Sequence, residues 1–490
     1  MMSTRHVPIV ESTMNTAQFL CDTGVAGGTS ACGAPAGEKP ALIASIAGCC
    51  LVFISSAVTN VALASIGRGL GLDAHTLQWI INAELLPLAA LSLVGGAMGD
   101  RFGHKTVFLV GIAVFAAASI GCAIARAGGE LMFARFLQGV AEALILPTGL
   151  TILGQAFPSE RKSWAVGLWS AAAAIACAAG PAIAGVILQN GSWRAVYAAE
   201  APLACVAFIV VWSIAPRSMG RADAPIDFLG GLLSVGGLGA LGWALMSSTD
   251  TKAAPYSFEA AGCIMVAAFV ILGLVERRKG DRAMLPPAVF SGRTVVALSV
   301  FTGLLYGAFT VVITLVPFVM INGAHLGASL AGLALVPLQL LIGVVSPTAR
   351  MLCARLGHSL PLAIGAVLTG LGCIAMLQIG VTTTYWAHIF PAIVLVAVGM
   401  SLVMAPLTTL VMTSVGSAHA ATATGFNGAI SRAGSLAGVA LLGNVLQLSG
   451  HALVLSFHMT MVACALACLV AALATGAINV PTDPAPVKKR

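Results

Sequence analysis

Long apolar stretches recur from residue 42 to residue 476 with only short polar breaks between them. A helix that crosses a bilayer needs about 20 mostly apolar residues. Fourteen stretches of that kind can be counted, at 42–66, 77–98, 106–126, 130–154, 164–188, 194–214, 227–247, 258–275, 294–321, 329–349, 360–379, 386–411, 424–446 and 452–476. Inside lipid every backbone N–H and C=O must find a partner within the chain, so such a protein forms helices or a closed barrel. The alternating segments of about ten residues that mark an outer-membrane barrel are absent. With 59% hydrophobic and 8% charged residues against about 25% charged in a soluble domain, the chain reads as an all-α, polytopic membrane protein.

An even number of spans puts both termini on one side. With both inside, eighteen lysines and arginines fall in the inner loops and tails and four, Arg68, Arg126, Arg194 and Lys252, in the outer loops. Basic residues accumulate on the cytoplasmic side, so both termini are expected there. The net charge of +7 then reflects inner loops and not nucleic-acid binding. Residues 1–41 are too long and too polar for the start of a signal peptide and read as a disordered cytoplasmic tail. The twelve cysteines lie mostly within spans and form no C-x-x-C pair, so they read as small apolar residues and not as a metal or disulfide framework.

A faint repeat supports a duplicated chain. Arg355-Leu356-Gly357-His358 echoes Arg101-Phe102-Gly103-His104, eight spans later. That offset fits two six-span halves separated by two extra spans. The expected organisation is an N-terminal bundle at 42–214, linker helices and a central loop at 215–293, a C-terminal bundle at 294–476, and a cytoplasmic tail at 477–490.

Charged groups inside the spans point to function, because they are costly there and tend to face the bundle interior or a wet cavity. Span 4 carries Arg135, Gln138 and Glu142 at i, i+3 and i+7, on one helix face. Their alternatives are a structural ion pair or a site for substrate and protons. Span 2 carries Asn82 and Glu84, about 200° apart around a helix. Glu84 lies at a depth similar to Arg135, so the two are expected to pair. Glu200, in span 6, lies near the outer surface and reads most simply as interfacial. Span 5 holds Gly180-Pro181-Ala182-Ile183-Ala184-Gly185, where a proline bends the helix and small neighbours permit close packing. Gly434 and Gly438 form a close-packing pair in span 13. Gln339, Tyr306, Asn427 and Arg432 are candidates for the C-terminal lining of a cavity, with Arg432 also able to snorkel to the inner surface.

The stretch Gly96-Ala97-Met98-Gly99-Asp100-Arg101-Phe102-Gly103-His104-Lys105 packs charge into a turn between spans 2 and 3. Asp100 is placed to pair with Arg101 or to cap a neighbouring helix. The pattern G-x-x-x-D-R-x-G-x-K resembles the loop between spans 2 and 3 of the major facilitator superfamily. Arg135-x-x-Gln138-Gly139 resembles that family's span-4 motif, although Glu142 stands where a small residue is usual. Gly180-Pro181-x-x-Ala184-Gly185 resembles the G-P-x-x-G-G motif of its antiporters. Leu77–Leu85 and Ser55–Leu63 are similar to spans 2 and 1 of its fourteen-span drug:proton antiporters, but Ser55 replaces the acid that many of those carry.

The resemblance implies two six-helix bundles of the major facilitator type with two extra linker helices, 14 transmembrane helices in all. It further implies a central cavity and proton-driven export by alternating access. Gly96, Asp100, Arg101, Gly103 and Lys105 would act in gating, and Gly180, Pro181 and Gly185 in the antiporter motif. Glu142, Glu84, Arg135, Gln138 and Asn82 would serve cavity and proton coupling. A small-molecule substrate, protons and the lipid bilayer are the expected partners, a periplasmic adaptor protein is a candidate one, and no nucleic acid or cofactor is expected. A phosphate-binding G-x-x-x-x-G-K-[ST] loop and the H-E-x-x-H and G-x-S-x-G motifs are missing, which speaks against ATP hydrolysis and against an enzyme. A proton-coupled uptake symporter and an exporter of an endogenous metabolite or lipid remain alternatives.

Overall fold

The computed structural model describes residues 37–215, 220, 228–247, 260, 263–268, 270–271, 274–275, 292–324, 326–357, 359–380, 384–414 and 420–478. The expected tail at 1–41 and the last residues of the chain lie almost wholly outside the described residues. So does most of the linker at 215–293, and span 258–275 is described only in part.

Seven helices form the first part of the chain: α1 (Glu38–Leu70), α2 (Ala74–Phe102), α3 (His104–Ile124), α4 (Gly128–Ala156), α5 (Ser159–Asn190), α6 (Trp193–Ile214) and α7 (Phe228–Ser247). Six long helices follow: α8 (Arg293–Asn322), α9 (Val336–Leu356), α10 (Ser359–Ala375), α11 (Phe390–Thr413), α12 (Ala420–Ala440) and α13 (Gly450–Ala474). Among the described residues nine helices are long and apolar enough to cross a membrane, and ten if α2, bent near its middle, counts as one span. The stretch expected as span 329–349 is broken: a short helix, Ala328–Ala334, precedes α9, with Leu335 between them and a proline at the start of α9.

Local signals set the helix ends. Asp73 caps α2 by accepting from the Thr76 amide at 3.0 Å. Gly71, at φ 61°, ends α1 in the left-handed conformation that glycine adopts without a Cβ clash. The charged stretch at 96–105 is not a loop. α2 continues through Phe102, α3 begins at His104, and Gly103 alone, at φ 90°, makes the turn.

α4 lies at the centre of the first half and packs on α1, α2 and α3, while α6 covers α1 and α3. Lipid tails are as apolar as the side chains, so close approach of small residues does much of the work of holding such helices together. A Cβ at Gly139 would strike the Glu84 carbonyl of α2, and one at Gly95 the Ala143 carbonyl of α4. In the second half α8 is the buried axis. A Cβ at Gly307 would lie 2.9 Å from the Gly434 carbonyl, and one at Gly438 would lie 2.6 Å from the Gly307 carbonyl. α12 thus rides on α8 through glycines, as the spacing of Gly434 and Gly438 predicts.

The halves meet near the Leu70 end of α1. Arg68 donates to Asn322 at 3.1 Å, Thr314 to Asn60 at 3.1 Å, and Gln78 to the carbonyls of Val439 and Ala440 at 3.0 and 2.7 Å. There too α5 crosses the Ala328–Ala334 helix, where Gly332 lets the Pro181 carbonyl and Gly185 approach. α7 fills the flank of α2 and α12 with Leu238, against Leu86 and Leu436.

Candidate functional site

Close packing of α2 on α4 brings the two charged groups of those helices together. With Gly139 against the Glu84 backbone, Arg135 is held one turn away, and its Nη2 donates to the Glu84 carboxylate. This is the pairing expected from their depths. Arg135 is fully buried and Glu84 is 3% exposed. Two buried charges cost several kcal/mol each to desolvate, so they persist only when paired and further hydrogen-bonded. Both conditions are met. Ser56 donates to Glu84 Oε1 at 3.3 Å, and the second terminal nitrogen of Arg135, Nη1, donates to Gln138 Oε1 at 2.7 Å, while Nε has no partner among the described residues. The guanidinium also lies 5.7 Å from the Tyr197 ring centre, within cation–π range.

Gln138 extends the network across the bundle. Its Nε2 donates to Glu200 at 2.8 Å and to Ser119 at 2.9 Å, and Ser119 donates to the same Glu200 oxygen at 3.0 Å. The interfacial reading of Glu200 is therefore wrong: the side chain is 2% exposed and lies in the bundle core. The physical reason is its direction. α6 turns this face toward α3 and α1, and lipid meets the opposite face, where Val206, Ile209 and Trp212 are exposed.

Glu142 is different. It lies one turn beyond Gln138, is fully buried, and both its carboxylate oxygens lack a hydrogen-bond partner among the described residues. The charges that act on it are Arg135 and Glu200 in its own half and Arg432 on α12. So the shared face of Arg135, Gln138 and Glu142 divides: two members enter the network, and the third stands apart. Asn82 is buried on the same helix as Glu84.

In the second half, Asn427 accepts from Thr302 at 2.7 Å and lines a small recess with Leu298 and Phe426. Arg432 is half-buried, its Nη1 lies 3.5 Å from the Gly428 carbonyl, and Glu142 and Tyr306 are the groups that act on it. Gln339 is half-buried on α9.

The 96–105 stretch forms two separate contacts. Asp100 pairs with His104 at 3.3 Å, not with Arg101, and its side chain is 63% exposed. Lys105 donates to the Trp212 and Ala215 carbonyls at 2.9 and 2.7 Å. It thereby holds the C-terminal end of α6, where a cation meets the negative end of the helix dipole. Gly99 and Gly103 are required there, the first because the His104 ring lies against it, whereas a Cβ at Gly96 would be 3.8 Å from its nearest neighbour, Pro147. In α5, a Cβ on Gly180 would lie 2.8 Å from Ala57 of α1. The Gly180-Pro181-x-x-x-Gly185 run is thus a crossing point that serves α1 on one side and the second half on the other.

Sequence reasoning missed the burial of Glu200, its partner Ser119, the Tyr197 ring beside Arg135, and the glycine that meets Pro181, Gly332. One signal was present. Tyr197 and Glu200 are polar groups at i, i+3, on one face of an otherwise apolar helix.

Packed helices with charge buried inside the bundle and a helix-to-helix seam between two halves define a polytopic membrane transporter fold. Residues 46–439 match the Major Facilitator Superfamily, and the chain belongs to it. It is not an enzyme. Similar curated proteins include the puromycin resistance protein pur8 of Streptomyces alboniger, 31% identical over 82% of this chain and 81% of that one. Another is the methylenomycin A resistance protein of Bacillus subtilis (strain 168), 29% identical over 83% of this chain and 87% of that one. The multidrug resistance protein Stp of Mycobacterium tuberculosis is 27% identical over 83% and 75%. Among solved structures, a peptide transporter POT in complex with sulfate superposes with a TM-score of 0.67 at 15% identity, over 90% of this chain and 94% of that one. The xylose transporter XylE from E. coli does so with a TM-score of 0.62 at 13% identity, over 89% and 98%. These two share the fold.

Proposed function

We propose that this transporter is a proton-coupled antiporter that exports small hydrophobic or cationic compounds by alternating access, with Glu142 as the coupling carboxylate. The observation that carries the reading is the state of Glu142: fully buried and without a hydrogen-bond partner among the described residues. A structural carboxylate would be satisfied, as Glu84 is. An unsatisfied buried one is expensive, and its use is to take up a proton or a cation in turn. The resistance and export proteins named above, at 27–31% identity, favour efflux of toxic compounds over uptake. An exporter of an endogenous compound would use the same site.

In this reading the chain has fourteen spans and cytoplasmic termini, so the Leu70 end of α1 faces outward and the bridges from Arg68 to Asn322 and from Gln78 to α12 close the outer side. Alternating access requires them to break. The Asp100–His104 pair and the Lys105 cap lie at the opposite end, among the groups that would rearrange when the inner side closes. Gly180, Pro181 and Gly185 form the seam about which the halves rock.

The test is transport of ethidium, as a fluorescent cation, in proteoliposomes of wild type and Glu142→Gln, with orientation read from protease access to the tail after residue 476. Wild type should drive ethidium from the tail side toward an acidic compartment on the Leu70 side, and Glu142→Gln should fold, bind ethidium and lose the proton-driven component. Unchanged proton-driven transport by Glu142→Gln would overturn the assignment.

A further inference from the structure

Of the four carboxylates that the first half buries, Glu38 pairs with Arg161 at 2.8 Å near the start of α1, and Glu84, Glu142 and Glu200 have Arg135 as the guanidinium of the core. Arg135 is committed to Glu84 by a direct hydrogen bond. Glu200 reaches that guanidinium only through Gln138, whose amide accepts from Arg135 and donates to Glu200. One positive charge balances one carboxylate. A second ionised carboxylate in the same low-dielectric core would stand uncompensated, which is costly.

The two oxygens of Glu200 are unlike. Oε2 accepts from Ser119 and Gln138. Oε1 is buried and receives neither of the donors that hold Oε2, with the Ser55 hydroxyl of α1 the group beside the carboxylate, so it is the oxygen available to carry a proton. The titratable and charged groups that act on Glu200 or stand beside it are Arg135 and Glu142 from α4, Cys122 from α3, and Tyr197 on α6 itself. α1 brings the Ser55 hydroxyl. No second cation is among them. Glu200 lies about 10 Å along α6 from its Trp193 end, and Glu142 about 21 Å along α4 from its Gly128 end, at 1.5 Å per residue. Those ends lie on the Leu70 face, so the carboxylates form a descending series, with Glu200 the outermost.

We infer that Glu200 is a second proton-binding residue of the transporter, loaded from the Leu70 side and held in register with the Glu84–Arg135 pair by Gln138. On loading, a hydronium gives its proton to Oε1 and leaves as water. On unloading, the Oε1–H bond breaks and a water takes the proton. The network then switches between two charge states without moving Arg135 off Glu84. The inference rests on the proton-coupled reading for its role in transport, but proton binding itself is testable separately.

Two readouts on the purified full-length protein make the test. The first is the infrared carboxylic C=O band followed as pH is raised, which reports protonated carboxyls without any substrate. The second is the pH profile of ethidium export in proteoliposomes. Glu200→Gln should remove one titrating band and flatten the export profile, and Glu200→Asp should restore both. A titrating band intensity identical in wild type and Glu200→Gln would overturn the inference. If Glu200→Gln fails to fold, Ser119→Ala decides, because it leaves the acid and removes one donor. It should move the pH at which the band titrates, and no movement would overturn the inference. A band lost in Glu200→Gln while wild type shows no proton-linked ethidium transport would retain Glu200 as a proton site and reject the antiporter reading instead.

Discussion

The two parts of this transporter are both built of long packed helices and differ in chemistry. The first buries Arg135 among carboxylates and links five helices through Ser56, Glu84, Gln138, Ser119 and Glu200. The second contains no aspartate or glutamate at all between residues 294 and 476. Its buried polar contacts are between neutral groups, such as Thr302 with Asn427 and Thr310 with Ser435, and its axial contact is glycine on glycine. Its half-buried Arg432 has Glu142 and Tyr306 as the groups that act on it. The lesson is a division of labour. Of the two bundles, only the first has a carboxylate within its spans to carry a proton, while the second supplies a closely packed counterface.

The division predicts that the halves break differently. The largest effect should come from Arg135→Ala, which leaves Glu84 buried and unpaired. Removing one partner of a buried pair costs about 3–5 kcal/mol, so detergent-solubilised protein should unfold at much lower temperature. Replacing Glu84 as well, by Gln, should recover part of the loss. A single mutant as stable as wild type would mean that the network contributes nothing to the first half.

Next is Gly434→Leu in the second half, where the new side chain must enter the space of the Gly303 backbone. Overpacking of this kind costs about 1–3 kcal/mol. Thermal unfolding should show it without altering the pH profile of transport, and an altered profile would blur the proposed division.

The smallest effect should come from Thr302→Val, which removes one hydrogen bond to Asn427. Interhelical hydrogen bonds in membrane proteins average about 0.6 kcal/mol, so a loss of stability beyond that of Gly434→Leu would show that polar contacts matter as much in the second half as in the first.

Much of the membrane architecture was legible in the chain. Apolar stretches of bilayer length leave the backbone no option but helices, and the spacing of Arg135, Gln138 and Glu142 placed them on one face before any helix was positioned. Depth alone was enough to match Glu84 with Arg135, because charged groups at equal depth in lipid have few other partners. Gly434 and Gly438 announced a close crossing, because four-residue spacing of small side chains makes a groove wherever it occurs. These are local or one-dimensional properties, and sequence carries them directly.

What the sequence left open depends on rotation of one helix about its axis relative to another. Glu200 lies at a depth that suits the interface equally well, and only the packing of α6 on α3 and α1 turns it inward to Ser119 and Gln138. The turn at 96–105 shrank to Gly103 because α2 and α3 continue into it, and its Lys105 found the end of α6, 107 residues away, instead of a partner in its own turn. Whether Glu142 would join the Arg135 network or stand apart could not follow from i, i+7 spacing. The answer lay in which neighbours reached Arg135 first, Glu84 through the glycine-lined crossing of α2 and α4 and Gln138 from one turn away. Sequence determined which groups lie within the spans. The tertiary structure decided which of them are satisfied, because hydrogen bonds need two helices in register to within an ångström, and that register is a property of the packed bundle.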